Sequence, residues 1–403
     1  MASVDRFRLH RLATIADGVG RVDTALPDAA VLPETGGAAA LLSALARAAK
    51  GQSFRIGLED APAPVDQTPP VFETLTSGSS GRPRRILRKQ ASWIASFAVN
   101  AGLFGLGPAV RVAVLGRLAH SLSLYGALEG AHMGCAVYLM GGMRPDRQRA
   151  ALAAEAVEVL YATPSQLRML VEAGGPELGA LRVVLVGGSK LDAALRAALS
   201  RLAPTAGVRE FYGAAEASFI TLADSDTAVD SVGRAYPSVR IAIRNRAGEA
   251  LKDGAVGEVW VRSPYLFLSY AGDDPGTARW NRGWLSVGEA GWMEKGMLHL
   301  AGRVGRMVTV ADENVFPEEI ETFLAALPGV ARVAVLPRRD ALRGVVMVAV
   351  MQGDPAAETA ILQAARARFG PLKAPRAVIW RKDWPMLTSG KTNLTRLAAE
   401  CGL

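Results

Sequence analysis

The sequence predicts an α/β protein. A large N-terminal domain of mostly parallel sheet flanked by helices, with a small β region, precedes a small α+β C-terminal domain. Three observations predict this. Between residues 111 and 214, Val- and Leu-rich runs alternate with helical stretches, the pattern of a parallel sheet covered on both faces. After Ser231 the apolar runs become short and alternating, as antiparallel strands require. From Pro317 helix and strand follow one another to the end, about a hundred residues from Arg303 onward, the size of a separate small domain. With 403 residues, 50% hydrophobic and 21% charged, the chain can bury a sizeable core, and global disorder is excluded.

The first seventy residues read as a preamble in which Gly37 to Lys50, rich in Ala and Leu, forms a helix. Ala61 to Pro70 contains four prolines and connects. Val71 to Leu75 is a short strand, and Arg88 to Phe104 a helix. The alternating series follows: strand Arg111 to Leu115, helix Leu122 to His132, strand Cys135 to Met140, helix Asp146 to Ala156, strand Val157 to Tyr161. Pro164 opens the next helix at the position where its missing N–H costs nothing. Strand Val183 to Val186 ends in Gly187-Gly188-Ser189, helix Asp192 to Leu202 follows, and strand Val208 to Phe211 ends in Tyr212-Gly213. Ligands of such sheets sit at the carboxyl ends of the strands, so Gly78, Gly188 and Gly213 can face one site. The β region comprises Val239 to Arg244, Val256 to Ser263 and a hairpin from Gly291 to Ala301 turning at Lys295-Gly296. The small domain then runs helix to Leu327, strands Val330 to Leu336 and Val345 to Val350, helix Ala356 to Phe369, strand Ala377 to Trp380.

The net charge of +8 comes mostly from arginines scattered along the chain, which favours small anionic substrates over nucleic acid. Cys135 and Cys401 are the only cysteines, and neither a disulfide framework nor a zinc site is indicated. The first residues carry charges and no apolar core, so no secretory leader is expected. Ser121 to Met143 holds one formal charge, Glu129, but its glycines and central carboxylate suit a buried helix and strand better than a membrane span. A cytoplasmic protein is expected.

Chemistry concentrates from Thr74 to Arg85. Four hydroxyls and two glycines fill Thr76 to Gly81, ahead of Arg84 and Arg85. Glycine lets backbone N–H groups converge on a ligand, hydroxyls donate hydrogen bonds, and a guanidinium matches phosphate oxygens. The stretch is a cradle for a polyphosphate, or equally, taken alone, a Gly/Ser linker. It lacks Walker spacing, and the Gly-Lys-Thr at 390–392 fails the same test because Pro385 stands where that motif needs glycine.

Further segments appear in order: Phe211-Tyr212-Gly213-Ala214-Ala215-Glu216; Gly254 to Val259 continuing to Tyr270; Gly283-Trp284 through Gly288-Glu289; Gly302-Arg303; Pro317 to Glu321; and Thr388-Ser389-Gly390-Lys391. With the Thr76 to Arg84 loop, this set resembles the superfamily of adenylate-forming enzymes, which includes acyl- and aryl-CoA synthetases, over about Pro70 to Leu403. The resemblance implies ATP-dependent formation of an acyl-adenylate and then transfer to a thiol, with ATP, Mg2+ and coenzyme A as cofactors. It implies that Thr76, Ser77, Gly78, Ser79, Ser80 and Gly81 hold the phosphates beside Arg84. Gly187, Gly188 and Ser189 would border the purine, Tyr212 would stack on it, and Gly213, Ala214 and Ala215 would flank the nucleotide. Glu216 would hold Mg2+, Glu289 the ribose hydroxyls, and Arg303 the ribose side. Lys391 would bridge the attacking carboxylate and the α-phosphate. His120 would gate thiol entry and, with Ser121, Tyr125, Val186, Phe211 and Phe219, line the acyl pocket. The domains implied are 1–303 and a mobile 304–403, hinged at Gly305.

The sequence also departs from the family pattern. Arg84 replaces the usual lysine and keeps its charge. Ala215 replaces a threonine, removing a hydroxyl near the α-phosphate, and Glu289 replaces aspartate. Asp312 replaces a glycine of the thiol channel, so adenylation is more secure than thioester formation. The expected activity is an acid–thiol ligase for an aryl, arylacrylic (coumarate-like) or short acyl acid, with CoA or a separate carrier protein as acceptor. Neither nucleic acid nor membrane is an expected partner, and the chain would act as a monomer or homodimer. The alternative is a degenerate nucleotide- or acyl-binding family member without turnover.

Overall fold

The computed structural model describes residues 5–403 except 19, 77–82, 229, 273, 275, 311–312, 341–343 and 387–391. The α/β class expected from the sequence is observed. Among the described residues the main sheet has 15 strands. Its parallel half runs outward from Gly207–Ala214 through Val183–Val186, Val159–Ala162, Arg111–Val114 and Ala136–Leu139. The three central ones, Val183–Val186, Val159–Ala162 and Arg111–Val114, are Val- and Leu-rich and almost wholly buried, as a sheet covered on both faces demands. Thr14–Asp17 adds a further parallel strand against Ala136–Leu139. The N-terminal stretch is therefore part of the main sheet and not a detached preamble. Its helix Gly37–Ala49 buries Leu41, Ala44, Leu45 and Ala48 in the same core.

The other half of the sheet is antiparallel. Ser218–Ala223 doubles back on Gly207–Ala214, and Arg234–Ala235, Met297–Arg303, Glu289–Glu294 and Gly257–Arg262 follow, with the hairpin Arg279–Asn281/Trp284–Ser286 at the rim. The helix Ser121–Met133 lies on the parallel half through its glycines. A β-carbon at Gly126 would stand 2.8 Å from the Tyr161 ring, and one at Gly130 2.7 Å from Val137. Close approach of helix to sheet explains glycine there. Pro164–Glu172 starts on a full capping box between Thr163 and Gln166.

Two expectations change. The helix expected from Arg88 starts at Gln90, because Arg85–Lys89 pairs antiparallel with Val71–Leu75 and forms a hairpin around residues 76–84. Tyr212 and Gly213 lie inside a strand and not past its end. The return strand Ser218–Ala223 extends the pairing to Ala214, with a register shift at Tyr212/Gly213.

In residues 330–380, Val330–Asp340 and Gly344–Gly353 form an antiparallel pair and Ala377–Trp380 adds in parallel. The helices Pro317–Ala325 and Glu358–Lys373 cover it around Ile320, Leu324, Val335, Met347 and Ile361. Glu318 and Glu321 from the first helix both pair with Arg306, which also donates to the Val335 carbonyl. No helix among the described residues is long and apolar enough to cross a membrane.

Candidate active site

The expected phosphate loop is framed at both ends. Thr76 N–H donates to the Arg84 carbonyl at 3.0 Å, and Arg84 N–H lies 3.3 Å from Thr76 Oγ1. Ser77, Gly78, Ser79, Ser80 and Gly81 lie outside the described residues, as do Asp312 and Lys391. The helix start at His120 docks against the strand entering the loop. Ser121 Oγ is 2.8 Å from Thr74 Oγ1 and donates to the Leu75 carbonyl at 2.9 Å, while Leu75 and His120 form a bridge. His120 itself is exposed, beside a cavity of about 280 Å3 also lined by Gly116, Arg117, Gly142 and Gln166.

From Arg84 a line of contacts crosses the site. Its guanidinium pairs with Asp274 at 3.2 Å, donates to Thr277 Oγ1 at 3.4 Å and lies 5.7 Å from the Tyr270 ring centre. The Tyr270 hydroxyl donates to Glu216 Oε1 at 2.8 Å. Burial, then the Glu216 charge, push that phenol up to about 12. The Glu216 carbonyl accepts from Phe267 N–H at 2.8 Å, and the turn before it closes through Ala217 N–H to the Ala214 carbonyl at 3.0 Å. Ser218, which follows, takes a positive φ of 60°, and a β-carbon on Gly213 would collide with its carbonyl. Glycine at 213 is thus a steric requirement of the turn that presents Glu216.

Tyr212 lies on the strand Gly207–Ala214 that leads into this turn. Its hydroxyl is buried and finds no hydrogen-bond partner among the described residues. Burial holds it well above the ordinary phenol value, with Glu289 adding and Arg303 opposing. Glu289 and Arg303 face each other across adjacent strands, with Arg303 Nε 3.4 Å from Glu289 Oε1. Gly187 leaves room for the Phe211 ring, which a β-carbon would strike, and Gly188 takes φ +99°. An orphaned phenol beside a carboxylate–guanidinium pair fits a nucleotide.

The residues expected to line an acyl pocket pack against one another. Phe211 and Phe219 are 4.5 Å apart, Phe219 and Tyr125 5.2 Å, and Val186 is buried. Behind Tyr125 lies a polar cluster that sequence reasoning did not find. Glu129 is fully buried. Asn100 Nδ2 donates to its Oε1 at 2.9 Å, the Tyr125 hydroxyl lies 3.1 Å from the same oxygen, and the Tyr161 hydroxyl donates to Oε2. Burial without a cation pushes Glu129 up to about 8, against its three hydrogen-bond partners. Alternation and motif spacing carry no sign of such a cluster, since its members come from three separate elements.

Among the described residues no group of three His, Cys, Asp or Glu side chains could hold a metal by itself. A lone carboxylate such as Glu216 fits Mg2+, which takes most of its oxygens from phosphate and water.

The chain matches the AMP-binding enzyme family over residues 13–271 and the AMP-binding enzyme C-terminal domain over residues 319–391. It belongs to that family, within the adenylate-forming superfamily, and the match starts well before Pro70. It is 32% identical over 339 residues to an uncharacterized acyl-CoA ligase, YhfT, of Bacillus subtilis (strain 168), covering 83% of this chain and 69% of that protein. It is 29% identical over 337 residues to indoleacetate-CoA ligase of Aromatoleum aromaticum (strain DSM 19018 / LMG 30748 / EbN1), covering 80% of this chain and 65% of that protein. Among solved structures, the amide bond synthetase McbA from Marinactinospora thermotolerans superposes with a TM-score of 0.73 at 26% identity, covering 86% of this chain and 72% of that one.

Proposed function

We propose that the chain joins a carboxylic acid to ATP as an acyl-adenylate, releasing pyrophosphate, and passes the acyl group to the thiol of coenzyme A. The observation that carries this is the line of contacts from Arg84 through Thr277 and Tyr270 to Glu216, together with the unpartnered buried Tyr212 hydroxyl and the Glu289–Arg303 pair, whose charges act on it. It links a guanidinium, a carboxylate and an unpartnered phenol, which supports their reading as the groups that would meet phosphate, Mg2+ and nucleoside. The names of the YhfT and indoleacetate relatives support the acid–thiol ligase reading.

Attack of one anion on another needs neutralisation and alignment more than proton transfer. Residues 76–81 and Arg84 would hold the phosphates, and Tyr212, Gly187, Gly188 and Ser189 the purine. Glu289 and Arg303 would hold the ribose. Mg2+, held by Glu216, would supply charge neutralisation at the phosphates. Lys391 would align the carboxylate with the α-phosphate, brought in by rotation of a unit spanning 304–403 about Gly305. A side chain at 305 would meet nothing within 4 Å, so this position has room for that motion.

The acid proposed is an aryl, arylacrylic or short acyl acid. Pyrophosphate release across a panel of acids tests the reading, wild type against Lys391→Ala. Acid-dependent release that the substitution abolishes is expected. Release indifferent to acid, or to the substitution, would overturn the ligase reading in favour of a nucleotide-binding protein without turnover.

A further inference from the structure

Arg88, like Arg55, is sealed inside the protein with none of its surface exposed. It lies on Arg85–Lys89, the strand that returns from the phosphate loop. One terminal nitrogen donates to the Ala215 carbonyl and the other to the Tyr265 carbonyl. The guanidinium lies over the Trp93 ring, 5.5 Å from its centre. Burying a guanidinium is costly, and no carboxylate touches this one among the described residues; burial pushes it down to about 9, while the charge of Glu216 pulls the other way. Packing alone would be served better by an apolar side chain of the same size.

The partners indicate what offsets that cost. Ala215 precedes Glu216, and Tyr265 begins the segment whose Phe267 N–H holds the Glu216 carbonyl and whose Tyr270 holds its carboxylate. One planar fork therefore ties three pieces together: the strand leaving the phosphate loop, the turn carrying Glu216, and the segment that grips Glu216 from the other side. We infer that Arg88 is a positioning residue that fixes the Glu216 turn against the strand Arg85–Lys89, so that one Mg2+ can meet the carboxylate and the phosphates together. This rests on the reading of Glu216 as the metal-holding side chain. It also compensates for Ala215, since the carbonyl of that residue is anchored although its side chain cannot be.

The test uses the full chain with Mn2+ as probe, titrated by electron paramagnetic resonance with a non-hydrolysable ATP analogue present. Metal-free affinity for the analogue is measured in parallel. Arg88→Lys keeps a positive charge but loses the planar fork across two carbonyls; Arg88→Met removes charge and donors together. Weaker Mn2+ binding is expected, roughly tenfold in Arg88→Lys and more in Arg88→Met, with metal-free nucleotide affinity within about twofold of wild type. A folded Arg88→Lys protein with wild-type Mn2+ affinity overturns the proposal. So does a parallel fall of metal and metal-free nucleotide binding, or failure of both variants to fold, each of which assigns Arg88 to the fold alone. Glu216→Gln separates the two readings. Unchanged Mn2+ affinity there removes the metal role of Glu216 itself, whereas a loss there with none in Arg88→Lys removes only the role of Arg88.

Discussion

Replacing Glu129 with glutamine should change how the protein's stability depends on pH. In the fold this carboxyl holds its proton up to about pH 8, whereas its ordinary value is 4.5. Between those limits the folded state binds more protons than the unfolded state, so stability falls as pH rises. One pH unit of mismatch corresponds to about 1.36 kcal/mol, so the buried acid costs roughly 3 kcal/mol at pH 7 and approaches about 5 kcal/mol above pH 9. Glutamine does not titrate. It also cannot serve Asn100 and Tyr161 as well as the neutral acid does, which lowers stability by a constant of about 1 kcal/mol. The two stability curves should therefore diverge, Glu129→Gln gaining about 3 kcal/mol on wild type between pH 5 and pH 7.5. Urea unfolding at several pH values, followed by tryptophan fluorescence, measures this directly. Parallel curves would show that Glu129 is ionised in the fold and stabilised by its donors, which would refute the argument from burial.

Three further outcomes follow from the site and its support. Tyr270→Phe removes the 2.8 Å bond to Glu216; the Mg2+ concentration for half-maximal pyrophosphate exchange should rise roughly tenfold, with little change in melting temperature. Gly213→Ala forces a β-carbon against the Ser218 carbonyl, so stability should drop by about 1–3 kcal/mol in denaturant titration and exchange activity by a larger factor. Arg55→Met leaves Glu73 buried with Arg85 at 3.6 Å as its remaining cation, in place of the 2.6 Å pair with Arg55. It also takes a donor from the carbonyls of Gly57, Leu58, Ala61 and Pro62. A loss of about 3 kcal/mol is expected by the same titration, with the metal dependence of exchange unchanged.

The parallel strands were legible because each is a run of Val and Leu too apolar for a surface and too short for a helix. The hairpin turning at Lys295-Gly296 was legible from its turn residues. Arg85–Lys89 was harder to read, since two arginines and a lysine resemble a solvated helix start. Pairing with Val71–Leu75 on one side and Ser269–Tyr270 on the other makes it a strand, and the second of these is a long-range fact. Arg88 shows the same limit at one residue. Sequence counts it among scattered surface charge, but the fold buries it under Trp93 between two carbonyls. Glu216, Tyr212 and Arg303 stood out through their ordered motifs and Tyr270 closed another, whereas Thr277 acts through contacts that no spacing encodes. Glu129 was read from sequence as a mark against a membrane span, and the same sealed carboxyl shapes the wall behind Tyr125.

The strand Thr14–Asp17 has a practical consequence. It hydrogen-bonds along Ala136–Leu139, which would otherwise terminate the parallel half of the sheet with bare amides and carbonyls. Trimming the polypeptide past Asp17 would offer that rim to any neighbouring molecule, and strand-to-strand clumping is the foreseeable result. An investigator seeking a handle for purification should attach it at the opposite terminus and leave this hem sewn.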